Sequence, residues 1–221
     1  MTQTVNLTEY VQAMKTVKRF KNLFMFFILI SVLFQANAFI LREFTSVLEP
    51  PKKAEVEESE APPVPSDVAV PAETTAAELY YKALHWAMPI TKFAALAFAV
   101  LLSISLMYGG ALSLLGRGAG TRQLISAFFW SVILLGMLIP WQQVYASSQA
   151  CGALYGYMEF TQARDLFHVG EKTLADGVFF YGRFLAYPAA AFVVWLIVAF
   201  KFAGGYRKLI QAEAKPASAG I

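Results

Sequence analysis

A hairpin of two uncharged segments decides the fold of this chain. The first segment, residues 93–115, reads FAALAFAVLLSISLMYGGALSLL, and the second, residues 124–144, reads LISAFFWSVILLGMLIPWQQV. Each is long enough to cross a hydrocarbon core of about 30 Å as a helix that rises about 1.5 Å per residue. The connection at residues 116–123, GRGAGTRQ, carries two arginines and no acid. The positive-inside rule therefore predicts a cytoplasmic turn there.

Two further apolar segments flank this hairpin, one near each end of the chain, and both have basic residues on the side predicted to be cytoplasmic. We therefore predict an all-α, polytopic helical membrane protein with both termini in the cytoplasm. The four predicted transmembrane helices cover residues 23–41, 93–115, 124–144 and 178–200.

The composition favours a membrane protein over a soluble one. Hydrophobic residues make up 57% of the 221 residues and charged residues 15%, whereas a soluble domain carries about 25% charged residues. The basic residues lie beside apolar segments rather than on a separate basic face, so no nucleic-acid partner is expected. The single cysteine, Cys151, excludes an intrachain disulfide framework and a cysteine-based metal site.

The N-terminal region has two interpretations. Residues 1–22 are predicted to form a cytoplasmic amphipathic segment, with the run at 23–41 as an uncleaved signal anchor. The alternative is a secretory signal that is cut after Ala36-Asn37-Ala38, a small-x-small pattern. Because the apolar character continues through residues 39–41, the anchor is favoured.

Basic residues crowd the end of the N-terminal segment next to the first span. Such a cluster suits anionic lipid headgroups, at about 1 kcal/mol per charge. It also suits a plain orientation signal, which is the simpler interpretation. The cluster consists of Lys15, Lys18, Arg19 and Lys21.

Residues 42–77 differ in character from the segments around them. They are acidic, contain six of the ten prolines and hold no aromatic residue after Phe44. Such a segment buries too little apolar surface to offset its ordering entropy, so we expect a disordered external loop, either a spacer or a docking motif. Residues 78–92, rich in Tyr and Trp, then predict an interfacial helix that Pro89 kinks or separates from the next span.

Glycines indicate where helices can approach one another closely. Gly109 and Gly110 lie near the inner end of the second span, and Gly152 and Gly156 form a small-xxx-small pair if that region is helical. All four are predicted interaction positions. Residues 145–177 are predicted to form an external helical loop, and the mixed charges in its second half are typical of a solvated surface.

The last span contains two further candidate positions. Pro188 is expected to bend the helix. Arg183 lies near the outer boundary, where it either snorkels towards headgroups or pairs with Asp165 or Asp176. Residues 201–221 form a basic tail that we expect in the cytoplasm.

The sequence contains no recognisable catalytic constellation. The predicted spans hold no Asp, Glu or His, and no serine-hydrolase, zinc-protease or nucleotide-binding motif occurs. His85 and His168 invite a haem or metal hypothesis, but neither has a second ligand at helical spacing. We therefore predict no enzyme activity and no catalytic, cofactor-binding or metal-binding residues.

Three functions stay open at this point. The leading one is a non-catalytic subunit, anchor or scaffold of a larger membrane complex, whose partners are the lipid bilayer and other membrane subunits or further copies of the chain. The second is a small transporter or channel component that works as an oligomer, with its backbone opened at Pro140 and Pro188. The third is a lipid-active or redox enzyme subunit that uses His85 or His168. The compact loops and the charge bias favour a bacterial inner membrane.

Overall fold

The structure, a computed structural model, describes residues 7–44, 76–115, 119–144, 152–169 and 174–214. Of these residues 94% are helical and none lies in a strand, which confirms the predicted all-α class for the described part of the chain. Most of the predicted acidic loop lies outside the described residues. The helices are α1 (Leu7–Phe44), α2 (Ala76–Leu115), α3 (Thr121–Leu138), α4 (Trp141–Val144), α5 (Tyr157–Val169), α6 (Leu174–Tyr181) and α7 (Tyr187–Ala214), with a π-helical turn, Gly182–Ala186, between α6 and α7.

Four helical stretches are long and apolar enough to cross a membrane, which suggests an integral membrane protein. They belong to α1, α2, α3 and the combined α6–α7 helix. Their bounds are Glu9–Phe44, Lys82–Leu115, Thr121–Leu138 and Leu174–Ala212.

The four long helices form an antiparallel bundle in which α1 packs on α2, α2 on α3, and α3 on α7. Trp195 on α7 donates its indole N–H to the carbonyl of Met25 on α1 at 3.0 Å, which links the first and last helices. The centre is apolar and closely packed, with Ile28, Leu102 and Val198 almost fully buried. Between apolar helices in lipid, close van der Waals packing of such side chains holds the helices together.

The first two helices are longer than the sequence predicts. The amphipathic segment at 1–22 and the span at 23–41 merge into α1, and the interfacial helix at 78–92 and the span at 93–115 merge into α2. Pro89 lies inside α2 without ending it. The residues on both sides of Pro89 pack into the protein, since Leu84, Met88 and Ala95 are buried. Tertiary packing thus outweighs the hydrogen bond that the proline removes.

The third helix is shorter than predicted, because it ends at Leu138 rather than at residue 144. Ile139 has an extended backbone, with φ −63° and ψ 128°, as expected for a residue that precedes a proline. The indole N–H of Trp141 donates to the carbonyl of Gly136 at 2.8 Å, and the Ala153 N–H donates to the carbonyl of Met137 at 2.7 Å. These two bonds satisfy carbonyls that the helix end leaves free.

The fourth span continues beyond its predicted bounds in both directions, from Leu174 to Ala214, and therefore includes two thirds of the predicted basic tail. The π-helical turn precedes Pro188, the proline that was expected to bend this helix. There the Tyr187 N–H donates to the carbonyl of Gly182, five residues back. Such turns widen a helix locally, and they often occur at functional positions.

Candidate functional site in the head of the bundle

A second apolar core lies at one end of the bundle. It is built from the C-terminal end of α1, the N-terminal half of α2, residues 152–156, α5, α6 and the π-helical turn, and we call this part of the molecule the head. The buried side chains of the head are Ala38, Phe39, Leu84, Met88, Tyr155, Tyr157, Phe160, Phe180 and Phe184.

Aromatic rings form most of the contacts in this core. The rings of Phe160 and Phe184 lie 5.2 Å apart in an edge-to-face arrangement, and those of Phe167 and Phe180 stack at 4.8 Å. Phe39 of α1 is fully buried among them. Aromatic pairs in these geometries contribute about 1 kcal/mol each beyond the area that they bury, so they hold the short helices α5 and α6 against the longer ones.

Gln35 and Tyr155 tie the loop before α5 to α1. The Tyr155 N–H donates to the Gln35 side-chain oxygen at 3.1 Å, the Gln35 amide donates back to the Tyr155 carbonyl at 3.4 Å, and the Tyr155 hydroxyl donates to the Gln35 carbonyl at 2.7 Å. Gln35 is fully buried. Burial also raises the pKa of the Tyr155 phenol, so this hydroxyl stays a donor.

Glu43 joins α1 to α5 and α6. Its carboxylate lies 3.4 Å from the Arg164 guanidinium and 3.4 Å from the His168 imidazole, and the Tyr181 hydroxyl donates to it at 3.3 Å. The side chain of Glu43 is only 5% exposed. A carboxylate at this depth needs such partners, because an unpaired buried charge is costly.

The adjacent Arg42 has a different environment. Its side chain is 4% exposed and donates to the Tyr157 hydroxyl. The guanidinium carbon lies 5.1 Å from the centre of the Tyr157 ring and 6.0 Å from that of Phe160. Cation–π contacts with two rings thus help to hold this cation in the head.

Glu159 caps the start of α5 and forms an ion pair with Arg183. One carboxylate oxygen of Glu159 accepts the Gly156 N–H at 3.2 Å, as in a capping box. The other pairs with the Arg183 guanidinium, which also donates to the Gln142 side chain. Lys92, buried on α2, lies within electrostatic range of the same carboxylate.

The prediction for Arg183 is wrong in its partners. Arg183 pairs with Glu159 and Gln142 instead of Asp165 or Asp176. The π-helical turn contains Arg183 and the adjacent Phe184. Arg183 faces Glu159, while Phe184 is buried in the aromatic core. Pro188 is buried one turn later, and the turn before it brings Arg183 to α5.

The two glycines of the predicted small-xxx-small pair differ in their surroundings. Residues 152–156 are not helical, so the face on which the pair depended does not form. A Cβ on Gly152 would lie 2.8 Å from the Pro140 Cα, and closer still to the Ile139 carbonyl, whereas one on Gly156 would meet nothing within 4 Å. Only Gly152 is therefore required for a close approach, and its neighbour there is the end of α3.

The glycines of α2 lie far from the head. A Cβ on Gly109 would lie 3.0 Å from a methyl carbon of Val17 on α1, whereas one on Gly110 would make an ordinary 3.7 Å contact with Ile125 on α3. Gly109 thus gives a close approach within this chain. At the same end of the bundle the backbones of Gly120 and Gly205 touch, and a Cβ on Gly120, which has φ +94°, would lie 2.5 Å from the Gly205 carbonyl oxygen. The sequence analysis did not identify this contact.

Sequence analysis also missed Gln35, Glu43 and Glu159, which join the head together. Glu159 had a detectable signal, because it follows Gly156 by three residues at the start of α5, as a capping residue does. Gln35 was visible as a polar residue in an apolar run. For Glu43, at the boundary of a segment predicted to be disordered, no local pattern indicated the partners.

The two histidines lie in the head but not beside one another. His85 makes edge-to-face contacts with Trp86 and Tyr157, while His168 pairs with Glu43, so the two histidines have separate environments. Among the described residues, no group of three or more His, Cys, Asp and Glu side chains could hold a metal ion. What the pairs do is fix α5 and α6 on the bundle.

Comparisons with known proteins leave the function to be argued from the site. No protein-family model, no curated protein and no solved structure matches the chain.

Proposed function

We propose that this protein is a non-catalytic integral membrane subunit, an anchor or scaffold that presents its head to other subunits of a larger membrane complex. The observation that carries the proposal is the apolar middle of the bundle. Between the two ends, the buried polar side chains among the described residues are serines that bond back to their own helices. They are Ser31, Ser103 and Ser131, with acceptors Phe27, Ala99 and Phe128 at 2.9, 3.0 and 2.7 Å.

Such a middle supports an anchor rather than a transporter. Proton relays and ion-coupled transporters place ionisable side chains in the membrane interior. Here the buried charged side chains of the described residues lie towards the ends of the bundle: Lys21, Arg42, Glu43 and Lys92.

The head supports a role in assembly. Between α5 and α6 lies an open groove of about 260 Å³, with Asp176 and Arg183 among otherwise apolar lining residues. Two large apolar side chains of this groove, Leu166 and Phe179, are each 78% exposed. An apolar surface with charged side chains at its edge is typical of a protein contact, so we assign the groove to a helix of a partner subunit.

We assign the opposite end of the bundle to the cytoplasm, and with it both termini. This end, which we call the basic end, comprises the starts of α1 and α3 and the ends of α2 and α7. The positive-inside rule supports the assignment. The basic residues described there are Lys15, Lys18, Arg19, Lys21, Arg122, Lys201, Arg207 and Lys208.

An intact signal anchor and a bacterial inner membrane complete the proposal. Ala38 and Phe39, which flank the alternative cleavage point, lie within one helix and are both buried in the head. Cleavage there would remove most of α1 and expose the cores that it covers. The intact mass of the mature protein tests this, since a chain that begins at Phe39 would contradict the anchor.

The subunit proposal is tested by native mass spectrometry of the tagged chain purified in mild detergent. We expect reproducible co-purifying membrane proteins, which Leu166→Glu in the head groove should release. Leu115→Glu is the matched control, because Leu115 is 76% exposed at the end of α2, away from the head. A clean monomer, or equal loss with both variants, would contradict the proposal.

The π-helical turn before Pro188 favours one alternative, a small transporter or channel component that works as an oligomer. Interrupted helices can offer backbone groups to a substrate. A homo-oligomer in the same experiment, together with solute flux in proteoliposomes that Pro188→Ala abolishes, would favour this alternative. Absence of flux across a broad panel of solutes would exclude it.

A further inference from the structure

At the basic end, α1 and α7 leave an open groove of about 330 Å³ between them. Three cationic side chains face this groove from the two helices, and two aromatic rings form its floor. The principal lining residues are Lys18, Lys21, Phe202, Tyr206, Arg207 and Ile210.

The cations of this groove are not neutralised within the described part of the chain. No carboxylate of the described residues lies within 4.0 Å of Lys18, Lys21 or Arg207, in contrast to the ion pairs of the head. The Lys18 ammonium lies 4.7 Å from the centre of the Tyr206 ring, and that of Lys21 lies 4.9 Å from the centre of the Phe202 ring.

The burial of the Lys21 ammonium favours a bound anion beside it. This residue is only 8% exposed, and an aromatic face replaces a small part of the hydration that a buried ammonium loses. A second lysine on the same helix face and an arginine on the facing helix increase the positive potential of the groove. An anionic group with several acceptor oxygens would bridge the three cations, as a phosphate does.

The level of the groove along the bundle axis indicates which kind of molecule carries this phosphate. Phe202 lies one turn before Gly205, which touches the backbone of Gly120 directly before the first residue of α3. The groove therefore lies level with the start of α3, which is the shortest of the four apolar helices. This level is the edge of the apolar layer that all four helices cross. Ile210, an apolar residue of α7 that lines the groove, is 38% exposed.

We propose that this groove is a binding site for one anionic phospholipid, whose phosphate is held by Lys18, Lys21 and Arg207 and whose acyl chains extend from the groove into the apolar layer of the bundle. A soluble phosphate compound would use the same cations but would gain nothing from a groove at the edge of the apolar layer. The site extends the proposed function, since it gives the membrane subunit a lipid that closes the gap between its first and last helices.

The test uses the full-length chain, depleted of lipid in mild detergent and titrated with phosphatidylglycerol in native mass spectrometry. Phosphatidylcholine and inorganic phosphate are the comparison probes. Each cation near an anionic headgroup contributes about fivefold to binding, so the triple variant K18Q/K21Q/R207Q should lose at least about tenfold in phosphatidylglycerol affinity. The matched control is K15Q/R19Q/K208Q, which removes equal charge from exposed positions outside the groove.

Three outcomes would overturn the proposal. Equal retention of phosphatidylcholine would mean that lipid binds without recognition of its headgroup, and an equal loss in the control variant would mean that only the overall charge matters. Tighter binding of inorganic phosphate than of phosphatidylglycerol would assign the groove to a soluble ligand. Lys21→Met, which keeps the buried volume and removes the charge, separates loss of binding from loss of folding: it should unfold like the unchanged protein and still bind phosphatidylglycerol more weakly.

Discussion

The two ends of this bundle differ in the partners of their charged side chains. In the head, carboxylates and cations from different helices meet, so that Arg183 faces Glu159 and Glu43 faces Arg164. At the basic end, Lys18 and Lys21 face aromatic rings and an open groove. Charges paired within a chain fix helices in place, whereas charges without an internal partner leave a site for a ligand. The head is accordingly expected to be rigid by itself and the basic end to depend on lipid.

The largest effect should follow from Gly152→Ala. The new Cβ would overlap the backbone at Ile139 and Pro140, and relief would require the loop to leave the end of α3. We expect the free energy of unfolding to fall by about 3 kcal/mol, measured as a shift of the unfolding midpoint in detergent. Gly156→Ala is the matched control and should be neutral. Equal effects would mean that the head is not closely packed at this position.

Gln35→Leu should have the next largest effect. The substitution keeps the size of the side chain but leaves the Tyr155 N–H and carbonyl buried without their partner. We expect a loss of about 2 kcal/mol in the free energy of unfolding. Asn37→Leu, at an exposed position on the same helix, should change it little. A comparable loss in Asn37→Leu would contradict the role assigned to Gln35.

Arg183→Met should lower the free energy of unfolding by somewhat less, about 1–2 kcal/mol. The reason is that the pair with Glu159 is partly exposed to solvent, with side chains 21% and 24% exposed. In the Glu159→Gln background, Arg183→Met should lower the free energy of unfolding by less, because the Glu159 carboxylate that it would leave unpaired is already absent. Additive costs in this double-mutant cycle would show that the two side chains act independently.

Lys21→Met should have the smallest effect, and its sign distinguishes the two ends. In lipid-free detergent the substitution removes a buried cation that has no carboxylate partner, so the free energy of unfolding should stay constant or rise by up to about 1 kcal/mol. Added phosphatidylglycerol should then stabilise the unchanged protein more than the variant. A loss near that of Arg183→Met without lipid would show that Lys21 has an internal structural role.

The sequence predicted the helical class and the apolar segments because both depend on local patterns. An uncharged run of about 20 residues identifies itself as a possible span. The predicted bounds of α1 and α2 were too short because the ends of these helices depend on tertiary packing. Leu84 and Met88 continue α2 across Pro89 because they pack into the head, and no local pattern records that packing.

The candidate site was predicted only in part. Arg183 was identified as an unusual charge near the end of a span, but its partner lies 24 residues earlier, in the predicted external loop. Similarly, the basic cluster before the first span was recognised, yet Phe202, Tyr206 and Arg207 join it from the other end of the sequence. Such pairings depend on which helices become neighbours.

For this protein the amino-acid sequence alone determined what each segment can be: apolar helix, basic flank or acidic connection, because hydropathy and charge act over a few turns of chain. Only the tertiary structure decided which charges are paired and which are left for a ligand. Antiparallel packing brings the end of α1 to α5 and α6, where Glu43 finds Arg164 and His168. The same packing brings the start of α1 to α7, where Lys18 and Lys21 meet two aromatic rings. The physical reason is that an ion pair requires contact in space, which residues far apart in the chain reach only when the helices pack.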